Sequence, residues 1–130
     1  MTPGDRVLVL VAEDNEGLRA TTSLILREDG YEVVEAEDGD DALARLSADS
    51  FDVALLDVRM PKTDGTTVVE NMAPDPPPPV VVIVTAFDID NDIRAKLGPK
   101  VYKYLRKPVA PTHLIEVVGE AARLAKAADQ

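Results

Sequence analysis

Five short apolar runs, each followed by a segment of helical character, restrict the fold of this chain more than any other feature. The runs are Arg6 to Ala12, Tyr31 to Ala36, Val53 to Leu56, Val80 to Val84 and Val101 to Leu105. They are too brief for free-standing helices, and β-branched residues recur in them, as strands prefer. The first and fourth, RVLVLVA and VVVIV, are almost unbroken in apolar residues, the mark of strands covered on both faces. After the first run, Asn15 offers a helix N-cap, and Leu18, Thr21, Thr22, Ile25 and Leu26 mark one side of a helix that Gly30 ends. Asp38-Gly39 turns the chain before a short helix carrying Ala42, Leu43 and Leu46, and Thr66 to Met72 makes a third. A charged fourth helix over Asp88 to Leu97 stops at Gly98-Pro99. Pro111 suits the first position of a closing helix, whose stripe is Leu114, Val117, Val118, Ala121, Leu124 and Ala125. Alternation of this kind implies a doubly wound α/β fold: a five-stranded parallel sheet with right-handed crossovers and helices on both faces.

In such a sheet the carboxyl ends of the strands share one edge, where open α/β folds place their ligands. Here four of the five predicted strands end in polar residues: Glu13-Asp14, Asp57, Thr85 and Lys107. Asp57 alone reads as a turn-capping aspartate. Capping explains any one of these residues and explains their convergence poorly. Three carboxylates in one pocket repel, and a divalent cation relieves them; Mg²⁺ takes hard oxygen ligands and keeps several waters. A hydroxyl from Thr85 and a point charge from Lys107 complete a set able to make and hold an aspartyl phosphate.

Composition narrows the functional classes. The 130 residues suit one domain over 1–130, with a core of about residues 6–126 and loose termini that include Ala127 to Gln130. Hydrophobic residues make up 45%, yet with two Phe, three Tyr and no Trp the core must be aliphatic. The net charge of −10 disfavours direct nucleic-acid binding. Without cysteine there is neither a disulfide framework nor a thiolate metal site, which fits a reducing, cytoplasmic setting. No run reaches the ~20 apolar residues of a membrane span, and Met1 to Arg6 lacks a signal-peptide pattern. Ala73 to Pro79, APDPPPP, reads as an extended spacer; a PxxP ligand for an SH3-type partner is the sharper and less economical reading.

The motifs EDN at Glu13 to Asn15, DVRMPKTDG at Asp57 to Gly65, TA at Thr85-Ala86 and YLRKP at Tyr104 to Pro108 resemble the receiver domain of bacterial two-component response regulators. The likeness covers essentially the whole chain. It implies the flavodoxin-like (βα)5 receiver fold with strand order 2-1-3-4-5, and a phosphoacceptor with no separate enzymatic activity. By this resemblance Asp57 takes a phosphoryl group from a sensor histidine kinase or a histidine phosphotransfer protein. Glu13, Asp14, Asp57 and the backbone carbonyl of Arg59 hold Mg²⁺. Thr85 and Lys107 sense the phosphoryl group, and Tyr104 is an aromatic switch that turns inward as Thr85 moves. The resemblance also implies a cis Lys107-Pro108 bond, and an output domain, target or phosphorylation-dependent homodimer on the face of the fourth helix, last strand and last helix.

The chain departs from the family pattern at Gly17, at Lys100-Val101, at Ala110 and in its third helix, which the prolines cut short. Two other chemistries are weighed against the receiver. A phosphohydrolase of the haloacid dehalogenase type needs an acid two residues past its nucleophile, where this chain has Arg59. A flavodoxin-like cofactor site needs a phosphate loop where Glu13-Asp14 would repel the phosphate. A degenerate receiver is disfavoured because every core residue is present. Arg59 and Phe87, each two places past a site residue, should guard the line of hydrolytic attack and slow autodephosphorylation. His113 reads as a surface residue.

Overall fold

The computed structural model describes residues 6–128. Strands β1 (Leu8–Ala12), β2 (Glu32–Ala36), β3 (Val53–Leu56), β4 (Val80–Thr85) and β5 (Val101–Arg106) alternate with α1 (Glu16–Glu28), α2 (Gly39–Ala48), α3 (Gly65–Asn71), α4 (Asn91–Leu97) and α5 (Pro111–Ala128). All pairings are parallel, and the strand order is β2-β1-β3-β4-β5. The expected doubly wound sheet is therefore present in the expected order.

Alternate side chains of each central strand feed two cores, as the period of two requires. Leu10, Ala54, Leu56, Val81 and Ile83 pack with Val68, Val69 and Leu97 from α3 and α4. Val9, Val11, Val53, Leu55 and Val82 pack with Leu26 of α1 and Leu114, Val117, Val118 and Ala121 of α5. Both faces of β1, β3 and β4 are thus covered, which is why their sequences run almost unbroken in apolar residues.

Several local expectations are corrected. Gly39 and Gly65 are first residues of α2 and α3, each after an aspartate that accepts from a backbone N–H of its helix's first turn. Asp38 bonds Asp41 N, Asp64 bonds Thr67 N, and Asp90 does the same for Ile93 in α4. This cap delays α4 to Asn91, three residues later than expected, and α2 extends to ten residues. The proline segment bends at 74–76, so it is not uniformly extended. On α5, Leu124 is exposed and Ala122 is buried in its place. On α1, Leu26 and Ser23 reach the core, whereas Leu18 and Thr21 do not. Helix α5 includes Ala127 and Ala128, so that half of the expected loose tail is helical; residues 1–5 and 129–130 lie outside the described residues. Among the described residues, no helix is long and apolar enough to cross a membrane.

Candidate functional site: an acidic pocket at the carboxyl edge of the sheet

Parallel register carries the strand ends to one place. Ala12 pairs with Leu56, so Glu13 and Asp57 leave the sheet side by side, and Asp57 N donates to Ala12 O at 3.2 Å. Thr85 ends β4, and Lys107 N donates to its carbonyl at 2.8 Å, fixing the lysine at the same edge. The expected cis Lys107–Pro108 bond is present at that point.

One carboxylate oxygen from each of Glu13, Asp14 and Asp57 lies within 4.8 Å of the others. Glu13 and Asp57 are buried and Asp14 is exposed. Lys107 Nζ donates to Asp57 Oδ2 at 2.7 Å and is also paired with Glu13 Oε1. The remaining oxygens are held by backbone: Asn15 N donates to Glu13 Oε2 at 3.1 Å, and Arg59 N to Asp57 Oδ1 at 3.2 Å. The expectation of three mutually repelling acids is thereby amended. The lysine neutralises part of the cluster from within.

Electrostatics follow from burial and pairing. Desolvation raises the Glu13 carboxyl above the usual carboxylate range, more than its hydrogen bond to Lys107 lowers it. Burial alone would depress the Lys107 ammonium, but hydrogen bonds to Asp57 and Glu13 outweigh it and leave the pKa above that of a free lysine. A raised basic group stabilises the fold below its unfolded pKa, and that contribution disappears as pH climbs through the folded value. Urea unfolding should therefore show an alkaline loss of stability that is smaller in Lys107→Met, where only the raised phenols of Tyr31, Tyr102 and Tyr104 still contribute. Identical alkaline profiles for the two proteins would contradict this pairing.

The other expected residues are distributed as follows. Thr85 is buried, and its Oγ accepts from Phe87 N at 3.3 Å. Tyr104 is half-buried, and its hydroxyl is fully enclosed without a hydrogen-bond partner. It therefore already points inward. Arg94 of α4 covers the ring, with its guanidinium carbon 4.3 Å from the centroid. Arg59 and Phe87 touch: the guanidinium lies 3.9 Å over the ring. His113 is exposed on α5. Sequence reasoning passed over Arg106, whose Nε donates to Ala86 O at 3.0 Å and whose guanidinium pairs with Asp88, tying the β4–α4 loop to β5. Its only signal was its place beside Lys107.

The donor set suits Mg²⁺: hard carboxylate oxygens, close together, with no thiol and no imidazole among them. A doubly wound sheet with such a pocket at its carboxyl edge is the architecture of a phosphoacceptor of the flavodoxin-like class. The chain belongs to the response regulator receiver domain family, whose sequence model matches residues 9–119. It is 34% identical over 111 residues to the transcriptional regulatory protein PdtaR of Mycobacterium tuberculosis, covering 85% of this chain and 54% of that protein. It is 30% identical over 103 residues to the alkaline phosphatase synthesis transcriptional regulatory protein PhoP of Bacillus subtilis, covering 79% of this chain and 43% of that one. The chain thus spans about half the length of these relatives. Among solved structures, a CheY-like receiver domain protein from Methanospirillum hungatei superposes with a TM-score of 0.85 at 26% identity, covering 93% of this chain and 97% of that one. Chemotaxis response regulator CheY4 of Vibrio cholerae gives 0.79 at 27%, covering 89% and 98%.

Proposed function

We propose that Asp57 is the phosphoacceptor of this receiver and that Lys107 and Thr85 are its phosphoryl-sensing partners. The observation that carries the reading is the bridge of Lys107 Nζ between Glu13 and Asp57 beside the exposed carboxylate of Asp14. In the proposed transfer an Asp57 oxygen attacks phosphorus, the phosphorus–nitrogen bond to the donor histidine breaks, and an acyl phosphate forms. Lys107 gives up its bond to Asp57 and donates to a phosphoryl oxygen instead. Thr85 Oγ, now accepting from Phe87, keeps its own O–H to donate to another. Glu13, Asp14, Asp57 and the Arg59 carbonyl are the groups that would hold Mg²⁺. When bound, the cation supplies the positive charge that lets an anionic phosphoryl group approach these carboxylates.

The inward Tyr104 would carry the signal to the face of α4, β5 and α5. A sensor histidine kinase or histidine phosphotransfer protein is the proposed donor, with an output domain, a target protein or a second copy as receiver of the signal. A cytoplasmic setting is part of this reading. Intact mass after acetyl phosphate treatment, with and without Mg²⁺, followed by peptide mapping of the acyl phosphate, tests it. One phosphoryl group on the Asp57 peptide, formed only with Mg²⁺, is expected; a label on another residue would sink the assignment.

Asp14 gives a second test. Because it lies outside the lysine's pairing, Asp14→Asn should raise the metal-free stability by no more than about 1 kcal/mol, as an exposed charge allows. The same variant should lose most of the stabilisation that Mg²⁺ gives the wild type, which follows RT ln(1 + [L]/Kd). Thermal melts across a Mg²⁺ series decide it, and an unchanged response would place the metal elsewhere.

A further inference from the structure

One space in the molecule opens from the phosphoacceptor pocket and runs beyond it into apolar surroundings. A cavity of about 510 Å³ lies between the sheet and helices α1 and α5, at the carboxyl edge. Val11 and Leu55 line it from the sheet, Thr22 and Ile25 from α1, and Pro108 and Leu114 from the α5 side. The sequence explains the space. Two consecutive short, hydroxylated residues, Thr21 and Thr22, occupy the α1 face turned to the cavity, and larger apolar side chains would fill it. Polar charge enters at one end alone, where Glu13, Asp57 and Lys107 close it.

We infer that this cavity binds a small amphiphile with an apolar, ring-sized body and one anionic group, the anionic end lying at Lys107. The volume falls inside the ~300–1,000 Å³ of ordinary small-molecule sites. Depth favours a small molecule over a partner helix. An α-helix with its side chains is about 10–12 Å across. It could rest at the mouth on Leu18, which is 39% exposed, but it could not reach Val11 and Leu55, which are 2% and 3% exposed. Charge sets the polar end. Among the described residues, Lys107 is the one basic residue lining the cavity, and two of its three N–H donors are engaged by Glu13 and Asp57, leaving the third for an incoming anion. Those two carboxylates repel an anion, so binding strengthens when Mg²⁺ engages them; a cationic amphiphile would show the opposite dependence. An occupant that holds Lys107 also withdraws it from phosphoryl transfer, which would make the phosphoacceptor responsive to a metabolite-sized ligand. The anionic end rests on the reading of Glu13, Asp57 and Lys107 given above, whereas the apolar body does not.

The test uses two fluorescent probes that share an anilinonaphthalene body: 1-anilinonaphthalene-8-sulfonate, which is anionic, and N-phenyl-1-naphthylamine, which is neutral. Each is titrated into the folded full chain with Mg²⁺ and with EDTA, alongside Thr22→Leu. The anionic probe is expected to bind about tenfold tighter than the neutral one in Mg²⁺, to lose that advantage in EDTA, and to weaken about tenfold in Thr22→Leu. It should also slow acetyl phosphate labelling of the wild type while leaving Thr22→Leu unaffected. Equal affinity for both probes in Mg²⁺, or undiminished binding in Thr22→Leu, overturns the inference. Labelling of Thr22→Leu without probe checks the phosphoacceptor reading separately, so the two failures are distinguishable.

Discussion

Gly65→Ala is expected to destabilise this protein by about 3 kcal/mol or more, at the upper end of single substitutions, and to impair phosphorylation of whatever remains folded. A Cβ at this position would lie 2.1 Å from the carbonyl oxygen of Asp57, 2.9 Å from its carbon and 3.1 Å from Val58 Cα. All three are backbone atoms, so no rotamer change relieves the overlap. Gly65 N also donates to Val58 O at 2.8 Å, which fastens the start of α3 to the turn leaving β3. Relief therefore means moving either α3 or the backbone of the phosphoacceptor. Gly30 is the control. It has φ of 97° but nothing within 4 Å of a built Cβ, so Gly30→Ala should cost only the left-handed strain of about 1–2 kcal/mol. Urea unfolding of both variants makes the comparison. A Gly65→Ala protein as stable as Gly30→Ala would mean that the close approach to Asp57 is not a constraint.

Gly65 also marks where sequence reasoning ran out. Asp38-Gly39 reads as a turn dipeptide, because glycine after aspartate signals a tight loop, and Asp64-Gly65 has the same form. Both pairs instead start helices, with the aspartate as cap and the glycine pressed against backbone; a Cβ on Gly39 would sit 1.5 Å from Thr63 O. The contact of Gly39 with Thr63 crosses between separate loops and leaves no local trace. The strands, by contrast, were legible almost to the residue, since β1, β3 and β4 are covered on both faces and end where polarity returns. The acids of the pocket were legible for the same reason, each standing at the close of an apolar run. What joins them was not. Lys107 and Glu13 are 94 residues apart, and only folding shows that the lysine already supplies a counter-charge. Spacing on α1 likewise suggested one helix side made of Leu18, Thr21, Thr22, Ile25 and Leu26. The structure buries Leu26 as expected, packs Ile25 partly against the same core, adds Ser23, and leaves Leu18, Thr21 and Thr22 at the cavity.

Phosphorylated wild type should lose its phosphoryl group slowly, and Arg59→Asn should shorten that lifetime about tenfold, the kinetic equivalent of about 1.4 kcal/mol. Hydrolysis needs a water in line with the bond between Asp57 and phosphorus. Arg59 and Phe87 stand two residues past Asp57 and Thr85, and their side chains are stacked with the guanidinium 3.9 Å over the ring. Neither can accept a proton from water, whereas the amide of asparagine can orient one. Phe87 is 48% exposed, so its burial cannot hold it in position; the stack with Arg59 does, contributing about 0.5–1 kcal/mol as exposed cation–π pairs do. The pair therefore acts as one cover. Phe87→Ala frees Arg59 to swing into solvent and should speed decay about two- to fivefold, as loss of the stack implies. The double variant should decay little faster than Arg59→Asn alone, because the second substitution removes a partner already lost. Decay of phosphorylated protein in excess Mg²⁺, followed for wild type, both single variants and the double, completes the cycle. Multiplicative effects of the two substitutions would show that the residues guard the site independently. Lifetimes equal to wild type in both single variants would remove them from the control of hydrolysis altogether.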